Sequence, residues 1–279
     1  MMNMIADMSI TDLPIAHVLN KDSYNNQIFV EKQLFVYEQA PVTEQIQPQN
    51  HLLAAMTQNE WNLLAPDIEE VDFALNQVLC ESGKTPAYMY FPTTAIVSLL
   101  YMTENGASSE VAVIGNDGAV GMSLFFSGSN SPNQALVQTA GKGYRIRAQA
   151  AKSAIHRDGA MLNILLRYSQ AMITQVTQTA VCNRHHTIDQ ILCRRLLLSL
   201  DRLPSNQIAI TQEVLASALG VRRESVTDAA LKLQNAGIIS YKRGLITVLN
   251  RKALESSSCE CYAITKIEQM RLQKMSLNS

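Results

Sequence analysis

The segment Ile208–Leu249 constrains this chain most, because a small residue, a glycine and a valine recur there at fixed intervals. Thr211 can cap a helix over Gln212–Leu219, its hydroxyl accepting from a free N–H of the first turn. Gly220 then turns the chain where positive φ is needed. A second helix follows over Arg222–Asn235 and stops at Gly237. With Gln212 counted first, Ala216 is fifth, Gly220 ninth and Val226 fifteenth. Ala216 is small where the helices cross, and Val226, Ala230 and Leu233 seat the second helix on the first. Two short strands, Ile238–Tyr241 and Leu245–Leu249, flank the basic turn Lys242-Arg243-Gly244. The whole pattern predicts a winged helix-turn-helix.

The outward face of the second helix opens with Arg222, Arg223, Glu224 and Ser225 and continues through Thr227, Asp228 and Lys232. With Thr211, Gln212, Lys242 and Arg243, these are the candidate contacts to double-stranded DNA. The helix start would enter the major groove and the wing would meet phosphates. The charge distribution agrees. The net charge is −1 overall, but residues 1–160 carry 8 Lys+Arg against 16 Asp+Glu, residues 161–204 carry 5 against 2, and residues 205–252 carry 7 against 3. A basic half behind an acidic half is expected if only the back meets phosphates.

Upstream, residues 1–48 are polar and Gln/Asn-rich, and read as a mobile leader with one transient helix near Gln27–Tyr37. His51–Leu64 reads as a short helix. From Val71 to Arg147, short β-rich runs alternate with turn residues, the pattern of a sandwich or barrel. Asn105-Gly106 is the strongest hairpin signal among them, since both residues tolerate positive φ. A long helix follows. Met161, Leu165, Tyr168, Met172, Val176 and Thr179 repeat near every 3.5 residues, a seam suited to self-pairing, the alternative being a single helix lying on its own β-domain. Leu162, Ile164, Leu166 and Ile173 supply a second apolar face, assigned to the β-domain. Asn183–Thr187 interrupts the helix as a hinge, and Thr187 with Gln190 has capping-box spacing before a helix over Ile188–Leu200.

These residues give the chain a resemblance to the Crp/Fnr family of bacterial regulators over about residues 50–262. It is carried by Tyr90-Phe91-Pro92, by Gly115, Gly118 and Gly121 with Leu124-Phe125, by the long helix, and by Ile210–Leu249 with Arg222-Arg223-Glu224-Ser225-Val226-Thr227. The resemblance implies a cyclic-nucleotide-binding-like β-roll, a parallel dimer through the long helix, and one recognition helix per half-site of a pseudo-palindromic operator. Arg223 and Glu224 match the pair that reads bases in the cyclic AMP receptor; an Arg can fork onto guanine and a Glu can accept from cytosine. RNA polymerase is a further candidate partner.

Three departures shape the expectation. Asp228 stands where that receptor has a further Arg, so its operator is not expected here. Met122 follows Gly121 where cyclic-nucleotide binders have Glu, and Asn130–Gln134 contains no Arg to fork onto a cyclic phosphate. The leader holds no cysteine for the iron–sulfur centre of the oxygen-sensing relatives. The expectation is therefore a regulator that does not answer to cyclic AMP and has no cofactor. Any small-molecule effector, of unknown identity, would lie between 115–134 and the long helix, with Gly121, Met122, Asn133, Gln134, Thr174, Thr177 and Gln178 as candidate lining.

The resulting expectation is an α+β chain: leader 1–48, jelly-roll-like β-roll sensor 49–155, long dimerisation helix 156–186, winged helix-turn-helix 187–252 and tail 253–279. An alternative is a β-roll sensor signalling through protein contacts, its helix-turn-helix vestigial; the basic helix start and basic wing weigh against it. No Ser-His-Asp set, P-loop or zinc-protease motif appears, so no catalytic residues are assigned. Cys259-Glu260-Cys261 offers two ligands, which do not make a zinc site, and His185 and His186 read as solvated or capping residues near a helix end, so no metal is expected. Five scattered cysteines, no apolar run near the roughly 18 residues that span a membrane, and no secretory pattern in Met1–Ile10 point to the cytoplasm.

Overall fold

A computed structural model describes residues 49–126, 130–157 and 159–276. The leader and its expected helix lie outside the described residues. The first described elements are α1 (His51–Ala54) and α2 (Gln58–Leu64). The single helix expected over His51–Leu64 is split because Thr57 and Glu60 form a capping box, which starts a new helix after one turn.

Seven antiparallel strands follow: β1 (Ile68–Phe73), β2 (Val78–Cys80), β3 (Tyr88–Pro92), β4 (Ile96–Met102), β5 (Ser108–Ile114), β6 (Gln134–Thr139) and β7 (Gly141–Arg147). They form two sheets, ordered β1-β7-β3 and β2-β6-β4-β5. Phe73 of one sheet packs with Leu79, Val97, Ile114 and Val137 of the other in a shared core. That is the β-roll expected from the many short strands. The β4–β5 hairpin does not use a two-residue turn. Residues 103–107 form the loop, Thr103 N–H donating to Ala107 at 2.8 Å, and only Gly106 takes positive φ.

Helices α3 (Ala148–Arg157) and α4 (Gly159–His185) carry the chain away from the β-roll, and α5 (Ile188–Leu200) begins at the Thr187–Gln190 capping box. The last elements are β8 (Gln207–Ala209), α6 (Gln212–Leu219), α7 (Arg223–Asn235), β9 (Ile239–Lys242), β10 (Leu245–Val248), α8 (Arg251–Ser256) and α9 (Glu260–Ser276). The segment read as a tail is thus largely helical. Cys261 lies beside His186, while Gln269 donates to Asp117, so α9 runs back along α4 in the opposite direction.

The structure reverses the two faces of α4. Met161, Leu165 and Tyr168 are buried in the β-roll core, with Met172 packed against it, and so cannot form a self-pairing seam. Tyr168 enters because Gly118 leaves room: a Cβ there would sit 2.4 Å from the Tyr168 hydroxyl. That hydroxyl donates to the Ala119 carbonyl at 3.1 Å, and burial pushes its pKa up, keeping it a neutral donor. The outward face holds Leu162, Leu166, Ile173 and Val176, which are 39%, 55%, 60% and 39% exposed with α9 already in place. Val176 alone of the expected seam remains there. The outward row 162-166-169-173-176-180 steps by 4, 3, 4, 3 and 4, a stricter heptad than the buried row.

Buried ion pairs tie the β-roll to α5 and to the turn that follows it. The Arg195 guanidinium forks onto Glu110 of β5, one of its bonds at 2.9 Å, and also donates to Gln138 and Ser199. Arg202 donates to both oxygens of Asp117, at 2.9 and 2.7 Å, and to Gln175 of α4 at 2.9 Å. Both arginines are at most 3% exposed.

Candidate nucleic-acid interface

The helix pair forms as its spacing predicts. The Thr211 hydroxyl accepts from the Val214 N–H at 3.2 Å and starts α6. Gly220 ends α6 at φ 65°, ψ 32°, the left-handed cap that a Cβ disfavours. Ala216, Val226, Ala230 and Leu233 are all buried between the helices and their neighbours. Gln212 accepts from the Thr227 hydroxyl at 3.1 Å, which ties the two helices across their outer edge. On its other side α6 rests on the β-roll, where Ser217 and Ser108 of β5 share a 2.8 Å hydrogen bond.

Arg222, Arg223, Glu224, Thr227 and Asp228 are exposed and Ser225 is half-buried. No side chain caps the start of α7. Its first N–H groups therefore point outward with the positive end of the helix dipole, a setting that favours anions. Lys232 turns back instead, its ammonium 2.8 Å from Asp189 of α5.

The wing pairs β9 with β10, and β10 with β8, in one antiparallel sheet. Leu245 pairs with Lys242, leaving Arg243 and Gly244 as a two-residue loop at φ 49° and 80°, the type I′ arrangement. Arg243 is one of two non-glycine residues at positive φ among the described residues. Asn holds that conformation more readily. Arg243→Asn should therefore stabilise the fold, by under about 1 kcal/mol, while weakening binding to all DNA sequences alike. Urea denaturation alongside salt-dependent binding would check both; base-selective loss would contradict a phosphate role for the wing.

A second feature lies in the β-roll. A cavity of about 410 Å³ opens between the strands and α4. Gly121, Met122, Asn133 and Thr177 line it, together with Ser123, Ser169, Met172, Ile173 and Val176. Gln134, Thr174 and Gln178 do not. Gln134 bonds instead to Glu81 at 2.9 Å. Thr174 and Gln178 each follow a lining residue on α4, and a step of one residue rotates a side chain by about 100° around the helix. No lining residue among those described carries a charge. Among the described residues, the Ser123 hydroxyl is buried there without a hydrogen-bond partner.

The structure also joins residues that looked unrelated in sequence. Cys182 and His186, at the end of α4, meet Cys259 and Cys261, at the start of α9. His186, read from sequence as a solvated or capping residue, is instead largely enclosed beside the thiols, because the antiparallel course of α9 brings the two ends together. His185 stays exposed.

The family model for the cyclic nucleotide-binding domain matches residues 70–158, and that for the Crp-like helix-turn-helix domain matches residues 192–257. A search of the curated proteins finds no match. Among solved structures, FixK2 from Bradyrhizobium japonicum is similar at a TM-score of 0.58 and 16% identity, over 69% of this chain and 98% of its own. A Crp/Fnr-family transcriptional regulator from Thermus thermophilus is similar at 0.55 and 20%, over 68% and 98%. The c-di-GMP-responsive regulator CLP from Xanthomonas campestris is similar at 0.54 and 14%, over 69% and 99%. The chain thus carries a cyclic nucleotide-binding domain followed by a Crp-like helix-turn-helix domain, with the fold of Crp/Fnr-type transcriptional regulators.

Proposed function

We propose that the chain acts as a homodimer on a pseudo-palindromic operator and answers to a weakly polar effector other than cyclic AMP. The observation that carries the DNA reading is the exposed, uncapped start of α7, with Arg222, Arg223 and Glu224 facing outward and the wing tip Lys242-Arg243 beside the helix pair. Arg223 and Glu224 read bases, while Arg222, Lys242 and Arg243 neutralise phosphates. Lys232, engaged with Asp189, plays a lesser part.

The effector reading rests on the cavity. A cyclic phosphate is best held by a guanidinium, and no residue of the described lining carries a positive charge. An apolar ligand with one group able to pair with the Ser123 hydroxyl suits the site better. The homodimer is supported by the outward heptad row of α4.

The test is selection of bound sites from random duplex DNA with the purified, ligand-free chain. An enriched two-fold motif with half-sites about one helical turn apart is expected. Arg223→Ala should then cost about 1–3 kcal/mol per half-site and relax one base position. Unchanged binding by that variant would remove Arg223 from the reading set. Failure of folded, dimeric protein to enrich any site, alone and with cell extract, would sink the DNA reading.

A further inference from the structure

We propose that Cys182, His186, Cys259 and Cys261 form a closed mononuclear zinc site that fastens the end of α4 to the start of α9. One ligand atom from each lies within 4.8 Å of every other. The Cys182 and Cys259 sulfurs are 3.5 Å apart, and the Cys261 sulfur is 3.7 Å from His186 Nδ1. With Zn–S near 2.3 Å and Zn–N near 2.0–2.1 Å, tetrahedral geometry requires separations of about 3.8 Å between sulfurs and about 3.6 Å from sulfur to nitrogen. The four side chains already stand close to that arrangement. An iron–sulfur cluster sets several irons and inorganic sulfides between its ligands and needs a wider spread.

The surroundings fit an ion. The three cysteines are buried, so the ligand set is closed to solvent, as structural zinc sites are. His186 turns Nδ1 to the thiols and holds Nε2 3.3 Å from the Glu260 carboxylate. That is the carboxylate–histidine–metal relay which fixes the ring and its tautomer. Arg194, 4% exposed and with Nε lacking a partner among the described residues, lies close enough to interact electrostatically with all three cysteines. One divalent ion with three thiolates and a neutral imidazole carries a net −1, and this guanidinium balances it. Cys182 and His186 are four apart at a helix end, and Cys259 and Cys261 straddle a helix start. Each pair presents two ligands on one side, and the whole winged helix-turn-helix lies in the chain between them.

The experiment is metal analysis of the full chain, purified under reductant without chelator, followed by cobalt(II) titration of acid-stripped, refolded protein. We expect one zinc per chain and, on titration, thiolate-to-cobalt absorption together with the intense visible bands of a tetrahedral ion. Cys261→Ser should lose the zinc, Cys80→Ser should keep it, and Glu260→Ala should weaken cobalt binding about 10–100-fold. The wild-type titration stands even if Cys261→Ser fails to fold. Metal-free protein with reduced thiols and no cobalt bands would overturn the proposal. So would iron with inorganic sulfide, or a Cys182–Cys259 disulfide formed in place of metal.

Discussion

Replacing Arg195 with methionine should cost about 3–5 kcal/mol of stability, because it strands the buried Glu110 carboxylate without its partner. Ser98 still donates to that carboxylate, but it carries no charge to balance it. For a chain of this size the loss lowers the thermal midpoint by roughly 10 °C. The double variant Glu110→Leu/Arg195→Met should recover most of the loss, since it removes both charges and keeps the volume apolar. Urea denaturation of the single and double variants completes the cycle. If the single variant lost less than about 1 kcal/mol, the pair would be solvated rather than sealed between β5 and α5. With Arg202–Asp117, the pair forms a buried polar contact between the β-roll and the stretch that leads into the winged helix-turn-helix.

The second large effect belongs to the outer face of α4. Leu162→Lys/Leu166→Lys should leave the fold intact, since both side chains already face solvent in one chain. In a dimer built on this face, the four lysines of two chains meet across the seam. Light scattering should then report monomer where the wild type is dimer, and operator affinity should drop about a hundredfold or more as the two half-sites cease to be bound together. A variant that stays dimeric with wild-type affinity places the self-contact elsewhere.

The local chemistry of this chain was legible where one segment decides its own shape. Thr211, Gly220 and the Val226 stripe fix the helix pair through contacts no more than a few turns away. The two hairpins show where that stops. Asn105-Gly106 suits a tight turn better than Arg243-Gly244 does, yet the tight turn forms at the arginine. Pairing of β4 with β5, with a register shift at Leu99/Leu100, ends at Met102–Ser108 and leaves five residues to span the gap. Register, set by distant packing, outranked the preference of the turn residues. On α4 both faces are apolar, so periodicity announces a helix without saying which face turns inward. That choice was made by the space above Gly118, which lies outside the helix. The four metal-binding candidates were hidden for the same reason: nothing in either half of the set points to the other until α9 folds back.

Ile173 and Val176 belong to two surfaces at once, lining the cavity on one flank and the outward row of α4 on the other. In the proposed dimer, a ligand touching them acts on the association equilibrium directly, with no relay between. Reciprocity then requires that pairing change the ligand's dissociation constant by the same factor that the ligand changes pairing. The apparent potency of an effector would thus depend on how much of the protein a cell holds, and a titration at micromolar chain would differ from one at nanomolar chain by mass action alone.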